Sequence, residues 1–169
     1  MRRCSDIPPT IRHVVWNKLF RKKLLQGLSF QESLRASMDV KLLTEYLLKT
    51  QKAVFLHKPY YFNRVRVGSA THGGLSIRSL ADTFEAHKYM YDTIVKAYPD
   101  LKQYSQAFLL DVYLLKYKEA KRKAGNHEML EESASADLNR MKKTIRQEGI
   151  KALCNPNIFW KTRIRYIFP

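Results

Sequence analysis

The sequence predicts a mainly α-helical fold with a small β component. Its 169 residues are 45% hydrophobic, which is enough apolar material for a core. Apolar residues recur at helical spacing over most of the chain, whereas residues 54–56 and 60–67 have the period of strands. A stretch rich in Gly, Ser and Thr at 68–79 indicates a loop. We therefore expect two parts, residues 1–77 with the strands and residues 78–169 as a helical extension.

Two helices are expected before the loop. The first follows the apolar spacing of residues 11–26 and stops at Gly27. The second covers residues 37–50 behind Ser37. Its expected apolar face consists of Leu42, Leu43, Tyr46 and Leu47.

Three long helices are expected after the loop. Ser79 and Asp82 have the spacing of a capping box, and the first of these helices then runs to Pro99. The second covers about 100–123, and the third begins near Asn126 and ends before Pro156. The inward positions expected for the second are Tyr104, Phe108, Val112 and Leu115.

The chain is strongly basic, with a formal net charge of +16. Such a charge favours anionic partners, namely nucleic acid, anionic lipid or a phosphorylated ligand. Cys4 and Cys154 do not make a disulfide framework, which favours a reducing compartment. We find no signal peptide and no apolar run long enough to span a membrane, so the expected location is cytoplasmic.

The histidines do not indicate a metal site, because none pairs with cysteine or another histidine at ligand spacing. His72 precedes Gly73 and Gly74, where a backbone turn can approach a phosphate. An ordinary glycine-rich turn explains the same residues.

Asp39 lies in the first turn of the expected second helix. Acidic residues are common there because they interact favourably with the helix dipole. The alternative is that Asp39 is a catalytic carboxylate, and its surroundings in the sequence bear on that choice.

Two motifs flank Asp39, WNKLF at 16–20 and PYYFNRVRVGS at 59–69. In this order they resemble the later half of bacterial family 2 glycosyltransferases, which have the GT-A fold. The resemblance covers about residues 14–71. In that family the helix between the motifs carries a Glu-Asp pair. Here Met38 stands at the glutamate position and Asp39 at the aspartate position.

The resemblance implies that Asp39 is a catalytic base that deprotonates an acceptor hydroxyl. It also implies that Arg64 and Arg66 help to neutralise the leaving nucleoside diphosphate. Solvated strand arginines are the alternative for these two. The full set of expected substrate-binding residues is Asn17, Lys18, Arg64, Arg66, Ser69 and His72, of which His72 lies beyond the resemblance.

The implied reaction is inverting transfer from a nucleotide sugar to a polysaccharide or lipid-linked acceptor. The family binds a divalent metal, Mg²⁺ or Mn²⁺, through an Asp-x-Asp motif in its first half. This sequence contains no such segment. We therefore expect a fragment, a truncated product or one piece of a split enzyme, which alone binds no cofactor and is inactive.

The C-terminal segment interleaves aromatic and basic residues, a composition that suits an anionic membrane surface. The expected contacts are Phe159, Trp160, Lys161, Arg163 and Arg165, at the inner face of the cytoplasmic membrane. In the alternative, the aromatic residues pack back onto the helical extension.

Two other functions fit parts of the sequence. A basic helical module that binds nucleic acid fits the charge, although the bases are spread over all segments. A helical interaction protein without enzymatic activity fits the amphipathic stripes, but it explains less of residues 16–71.

Overall fold

The computed structural model describes residues 14–54, 56, 58, 60–62, 76–125, 132–167 and 169. Over these residues the fold is all-α. The helices are α1 (Lys22–Leu25), α2 (Met38–Leu48), α3 (Ile77–Ala97), α4 (Lys102–Gly125), α5 (Glu132–Lys151) and α6 (Trp160–Ile167), with a 3₁₀ turn at Pro99–Leu101 between α3 and α4.

The predicted β component is wrong, and with it the α+β GT-A segment. Val54, Leu56 and residues 60–62 are not in strands, and the rest of the second predicted strand lies outside the described residues. Val54 is 72% exposed and Phe62 is 89% exposed. A strand needs a neighbour to accept and donate its backbone hydrogen bonds. No strand occurs in the described part of the chain, so alternation alone did not produce one.

The first predicted helix is much shorter than expected. Within its described part, residues 14–20 form turns and extended chain, and only Lys22–Leu25 is helical. Asn17 interrupts helical geometry with a φ of 59°. The chain does turn at Gly27, which has a φ of 76° that glycine adopts without strain.

Helix α2 packs on α3 across the predicted boundary at residue 77. Leu34 and Val40 form a small buried cluster with Ala86 and Met90 of α3. Next to it the Ser37 hydroxyl donates to Thr83 Oγ1 at 3.1 Å. The start of α2 is therefore fixed against α3.

Helix α3 begins three residues earlier than the predicted capping box. Ser76 is the N-cap, and its hydroxyl oxygen accepts the backbone N–H of Ser79 at 3.1 Å. Asp82, which the pattern assigned to the cap, instead accepts the backbone N–H of Arg35 at 3.1 Å. This bond is a second tie between α3 and the segment before α2.

The main core lies among α3, α4 and α5. Phe84 of α3 and Tyr113 of α4 stack with ring centroids 4.0 Å apart. The Tyr113 hydroxyl donates to the Phe84 carbonyl at 3.1 Å. Met141 and Ile145 of α5, with exposures of 1% and 0%, complete this layer.

The predicted inward face of α4 is wrong at two of its four positions, whereas Phe108 packs, partly buried, against the small cluster of α2 and α3. Tyr104 and Leu115 are 53% and 63% exposed, while Leu109 and Leu110 are fully buried. The buried positions of α4 are Gln106, Leu109, Leu110, Tyr113, Leu114, Tyr117, Ala120 and Ala124.

Helix α6 packs against α5 at Gly149. A Cβ added to Gly149 would lie 2.6 Å from Tyr166 Cβ and 3.3 Å from the Tyr166 backbone. Only glycine therefore allows this approach.

We expect Gly149→Ala to lower the free energy of unfolding by about 1–3 kcal/mol, because α6 has to move away from α5. Chemical denaturation measures this change. Gly125→Ala is the matched control, since nothing lies within 4 Å of a Cβ there. Alanine favours a helix over glycine, so the control should be neutral or slightly more stable. Equal stability of the two variants would contradict the tight contact.

Candidate functional site

The candidate site centres on the carboxylate of Asp39 at the start of α2. Its Oδ2 accepts the backbone N–H of Val15 at 3.1 Å. Lys18 Nζ donates to the Val14 carbonyl at 2.6 Å. A tight turn formed by residues 14–18 is thus docked on the first turn of α2.

Two residues with left-handed backbone conformation shape this site. Asn17 has a φ of 59° and Ser37 a φ of 62°. Positive φ is uncommon outside glycine, and asparagine tolerates it better than most residues. Asn17 turns the chain so that the Val15 amide meets Asp39, and Ser37 directs the chain into α2.

Lys18 and Asp39 interact electrostatically. Burial lowers the pKa of the Lys18 ammonium below its ordinary value of 10.5, while the nearby Asp39 carboxylate acts in the opposite direction. The Asp39 carboxylate also lies at the N-terminal end of α2, where the helix dipole favours negative charge. The site therefore combines an anion, a cation and a helix N-terminus.

An aromatic pair flanks the site. Trp16 and Tyr61 stack with ring centroids 5.3 Å apart and an angle of 21° between the ring planes. They are 41% and 44% exposed, so half of the pair faces solvent. A flat aromatic surface next to a carboxylate suits a ring-shaped polar ligand.

Tyr46 of α2 holds the segment that follows the 14–18 turn. Its hydroxyl accepts the backbone N–H of Arg21 at 2.7 Å, and its ring packs edge-on against Phe20 with centroids 4.9 Å apart. Tyr46 itself is 8% exposed. The segment bearing Trp16 and Lys18 is therefore attached to α2 at two points.

The structure brings Asn17, Lys18 and Asp39 together. Arg64, Arg66, Ser69 and His72 lie outside the described residues. The sequence prediction did not include Trp16, Tyr46 or Tyr61 among its site residues. Trp16 and Tyr61 belong to the two motifs. Their stacking joins residues 45 positions apart, so no local sequence pattern indicates it.

The described acidic residues, His87 and Cys154 do not form a cluster that could hold a metal. Among the described ranges no group of three or more such side chains converges on one point. A divalent metal expected from the resemblance thus has no fitting set of ligands there.

The C-terminal segment is built into the helical core. Ile158 and Tyr166 are 4% and 1% exposed, and the Tyr166 hydroxyl donates to Asp111 Oδ1 at 2.8 Å. Arg163 donates to the carbonyls of Leu153, Asn155 and Ile158 at 2.6, 2.8 and 3.1 Å.

The structure describes the side chains of only two of the other predicted membrane contacts. Phe159 is 63% exposed, and Arg165 also faces solvent. Trp160 and Lys161 begin α6, but their side chains lie outside the described part. None of the described helices is both long enough and apolar enough to cross a membrane.

Comparisons of the chain with protein-family models, curated proteins and solved structures gave no match.

Proposed function

We propose that this chain supplies the acceptor-binding side of an inverting glycosyltransferase, with Asp39 as the general base. One observation carries the proposal. The Asp39 carboxylate is oriented by the Val15 amide beside Lys18 and beside the half-exposed Trp16–Tyr61 pair. The motif resemblance to family 2 enzymes supports the same assignment.

Asp39 acts on the acceptor hydroxyl. A sugar hydroxyl is a weak nucleophile until a base takes its proton during attack. In the proposed step the acceptor oxygen bonds to the anomeric carbon, and its proton passes to Asp39. The bond from the anomeric carbon to the nucleoside diphosphate breaks, and the diphosphate leaves with the electron pair.

The Val15 amide positions Asp39 for this step. The amide holds Oδ2 at 3.1 Å, so the carboxylate has one orientation before substrate arrives. Oδ1 accepts no hydrogen bond within the described part of the chain, and it is the oxygen we assign to the acceptor. A positioned base avoids reorganisation during the reaction.

Trp16 and Tyr61 bind the acceptor in this proposal. Aromatic side chains with a few polar groups beside them are typical of small-ligand sites. The half-exposed stack provides the apolar surface, and Asn17 and Lys18 provide polar contacts at its edge. The acceptor is accordingly a glycan or a lipid-linked glycan.

The donor side needs groups that the described residues do not provide. Arg64 and Arg66, which lie outside those residues, are assigned to the leaving diphosphate by resemblance. The described ranges offer no converging set of metal ligands to this step. A nucleotide-binding partner or domain would complete the enzyme.

A fusion experiment tests the proposal. The whole chain is joined behind the donor-binding half of an active family 2 glycosyltransferase, and transfer from UDP- and GDP-sugars to a glycan library is measured. We expect transfer by the fusion and none by either part alone. Trp16→Ala should raise the KM for the acceptor more than it lowers kcat.

Two outcomes would refute the proposal. A fusion that transfers no more sugar than the donor-binding half alone gives this chain no acceptor role. If neither Trp16→Ala nor Asp39→Asn changes the transfer rate of the fusion, the acceptor binds elsewhere. Phe62→Ala is the control for Trp16→Ala, since Phe62 is 89% exposed in the same region.

A further inference from the structure

The outward face of α5 carries a shallow groove lined by basic side chains. Lys142, Lys143 and Arg146 are exposed on it. Together with Asn139, Gln147 and Ile150 they line a shallow groove of about 330 Å³. Lys143 and Lys142 lie three and four positions before Arg146, a spacing that places each of them next to Arg146 on the helix surface.

The two carboxylates of α5 that are nearest to this face in the chain do not neutralise it. Asp137 pairs with Arg78 and Arg140 at 3.4 and 3.1 Å, and Glu148 pairs with Lys151 at 2.8 Å. Both acids are largely buried toward the core. Among the described residues no carboxylate forms a salt bridge with Lys142, Lys143 or Arg146, and all three side chains are exposed.

Exposed apolar side chains occur at the end of the basic face and on the segment that follows α5. Ile150 ends it and is 55% exposed, and Phe159 and Ile164 from the C-terminal segment are 63% and 52% exposed. The segment that carries them is fixed to α5, because Tyr166 packs on Gly149. Arg163 further ties it to the carbonyls of Leu153 and Asn155. The apolar side chains therefore have a rigid support.

We propose that this surface, the α5–α6 face (Lys142, Lys143, Arg146, Ile150, Phe159 and Ile164), docks on an anionic lipid bilayer. A bilayer interface accepts apolar side chains among its acyl chains and attracts bases to its headgroups. Nucleic acid would match the charge, but its phosphate backbone offers no place for exposed isoleucine and phenylalanine. The mixture of both kinds of side chain favours lipid.

This surface differs from the one expected from the C-terminal sequence alone. Arg163 holds carbonyl groups and does not face lipid, whereas three bases of α5 join the surface. Truncation after Asn155 would remove Ile158 and Tyr166 from the core, so point variants are the appropriate test.

Sedimentation of the whole chain with vesicles of phosphatidylglycerol and phosphatidylcholine tests the proposal. We expect binding that falls with salt and is lost in pure phosphatidylcholine vesicles. Each base near an anionic leaflet contributes about fivefold to affinity, so K142E/K143E/R146E should weaken binding roughly a hundredfold or more. F159S/I164S should weaken it by roughly tenfold, because apolar burial in the interface is lost.

The control R21E/K22E/K23E makes the same change in net charge on and beside α1 and should retain most binding. Equal losses in both charge variants would overturn the proposal, because total charge would then explain the binding. Unchanged binding of F159S/I164S, or tighter binding to a DNA duplex than to the anionic vesicles, would also overturn it in favour of a polyanion-binding surface.

Discussion

Replacing Asp39 by asparagine is expected to lower the kcat of the reconstituted transferase by about 10²- to 10⁴-fold, the usual contribution of a general base. Asparagine has the same shape, and its side-chain oxygen can still accept the Val15 N–H that Asp39 binds at 3.1 Å. The loss should therefore fall on kcat, because only the proton acceptor is removed. The turn that carries Trp16 and Lys18 should stay in place.

Glu45→Gln is the matched control for this variant. Glu45 lies on the same helix, and its Oε1 accepts the Tyr89 hydroxyl at 2.6 Å. The glutamine amide in Glu45→Gln should leave kcat nearly unchanged. Steady-state rates of the two fusions, with thermal unfolding to verify their folds, make the comparison. Full activity of Asp39→Asn would return Asp39 to the role of a first-turn carboxylate that favours the helix dipole.

The helices that the sequence predicted well have one clear apolar side or a strong terminal signal. Helix α2 appears between Ser37 and Thr50 as expected, and α3 ends before Pro99. Proline removes a backbone donor and clashes with the preceding turn, so its effect is local and readable. Such signals do not depend on what the helix packs against.

The rotation of α4 was not predictable in the same way. Residues 107–115 are apolar at eight of nine positions, so nearly every side of the helix is a candidate core face. The neighbouring helices determine which side is buried, because α3 and α5 cover Leu109, Leu110 and Tyr113 and leave Leu115 exposed. A pattern without amphipathic contrast cannot encode this choice locally.

The failed strand prediction and the contacts of the candidate site both depend on residues that are far apart in the chain. Residues 60–62 have strand-forming side chains, yet Tyr61 stacks on Trp16 instead of pairing its backbone. The resemblance grouped Asn17, Lys18 and Asp39, and these residues do lie together. It contained no information on the Val15–Asp39 hydrogen bond, which links residues 24 positions apart.

The C-terminal segment shows how composition and packing diverge. Aromatic and basic residues there suggested one amphipathic surface. In the structure Tyr166 enters the core and Arg163 binds three carbonyls, whereas Phe159 and Ile164 remain exposed. Residues of one chemical class thus divide between a structural and a surface role according to their position in this segment.

Tyr166→Ala is expected to lower the free energy of unfolding by about 3–5 kcal/mol, the usual cost of removing a large buried aromatic side chain. Tyr166 is 1% exposed and fills the contact between α5 and α6 at Gly149. Its removal leaves a cavity that Gly149 has no side chain to fill. Urea unfolding measures the change, and Tyr104→Ala, at a tyrosine 53% exposed on α4, is the control with a small expected effect.

Tyr166→Phe separates the ring from the hydroxyl. It keeps the ring but removes the hydrogen bond to Asp111, so we expect a loss of about 1 kcal/mol. Burial, followed by the hydrogen bond to Asp111, raises the pKa of the Tyr166 hydroxyl above its ordinary value of 10.0. The folded state therefore favours the neutral phenol. The stability it contributes is present below pH 10.0 and is lost as the pH rises toward the folded-state value.

Stability measured against pH should consequently fall less steeply above pH 10 for Tyr166→Phe than for the unmodified chain. The buried Tyr113, whose pKa is also raised by burial, contributes to the dependence that remains in both proteins. Tyr89, Tyr91 and Tyr117 contribute as well, since their pKa values are also raised. Identical alkaline slopes would show that the Tyr166 hydroxyl reaches solvent in the folded state. Equal stability of Tyr166→Ala and Tyr104→Ala would show that α6 is not part of the core, and the rigid support of the α5–α6 face would fail with it.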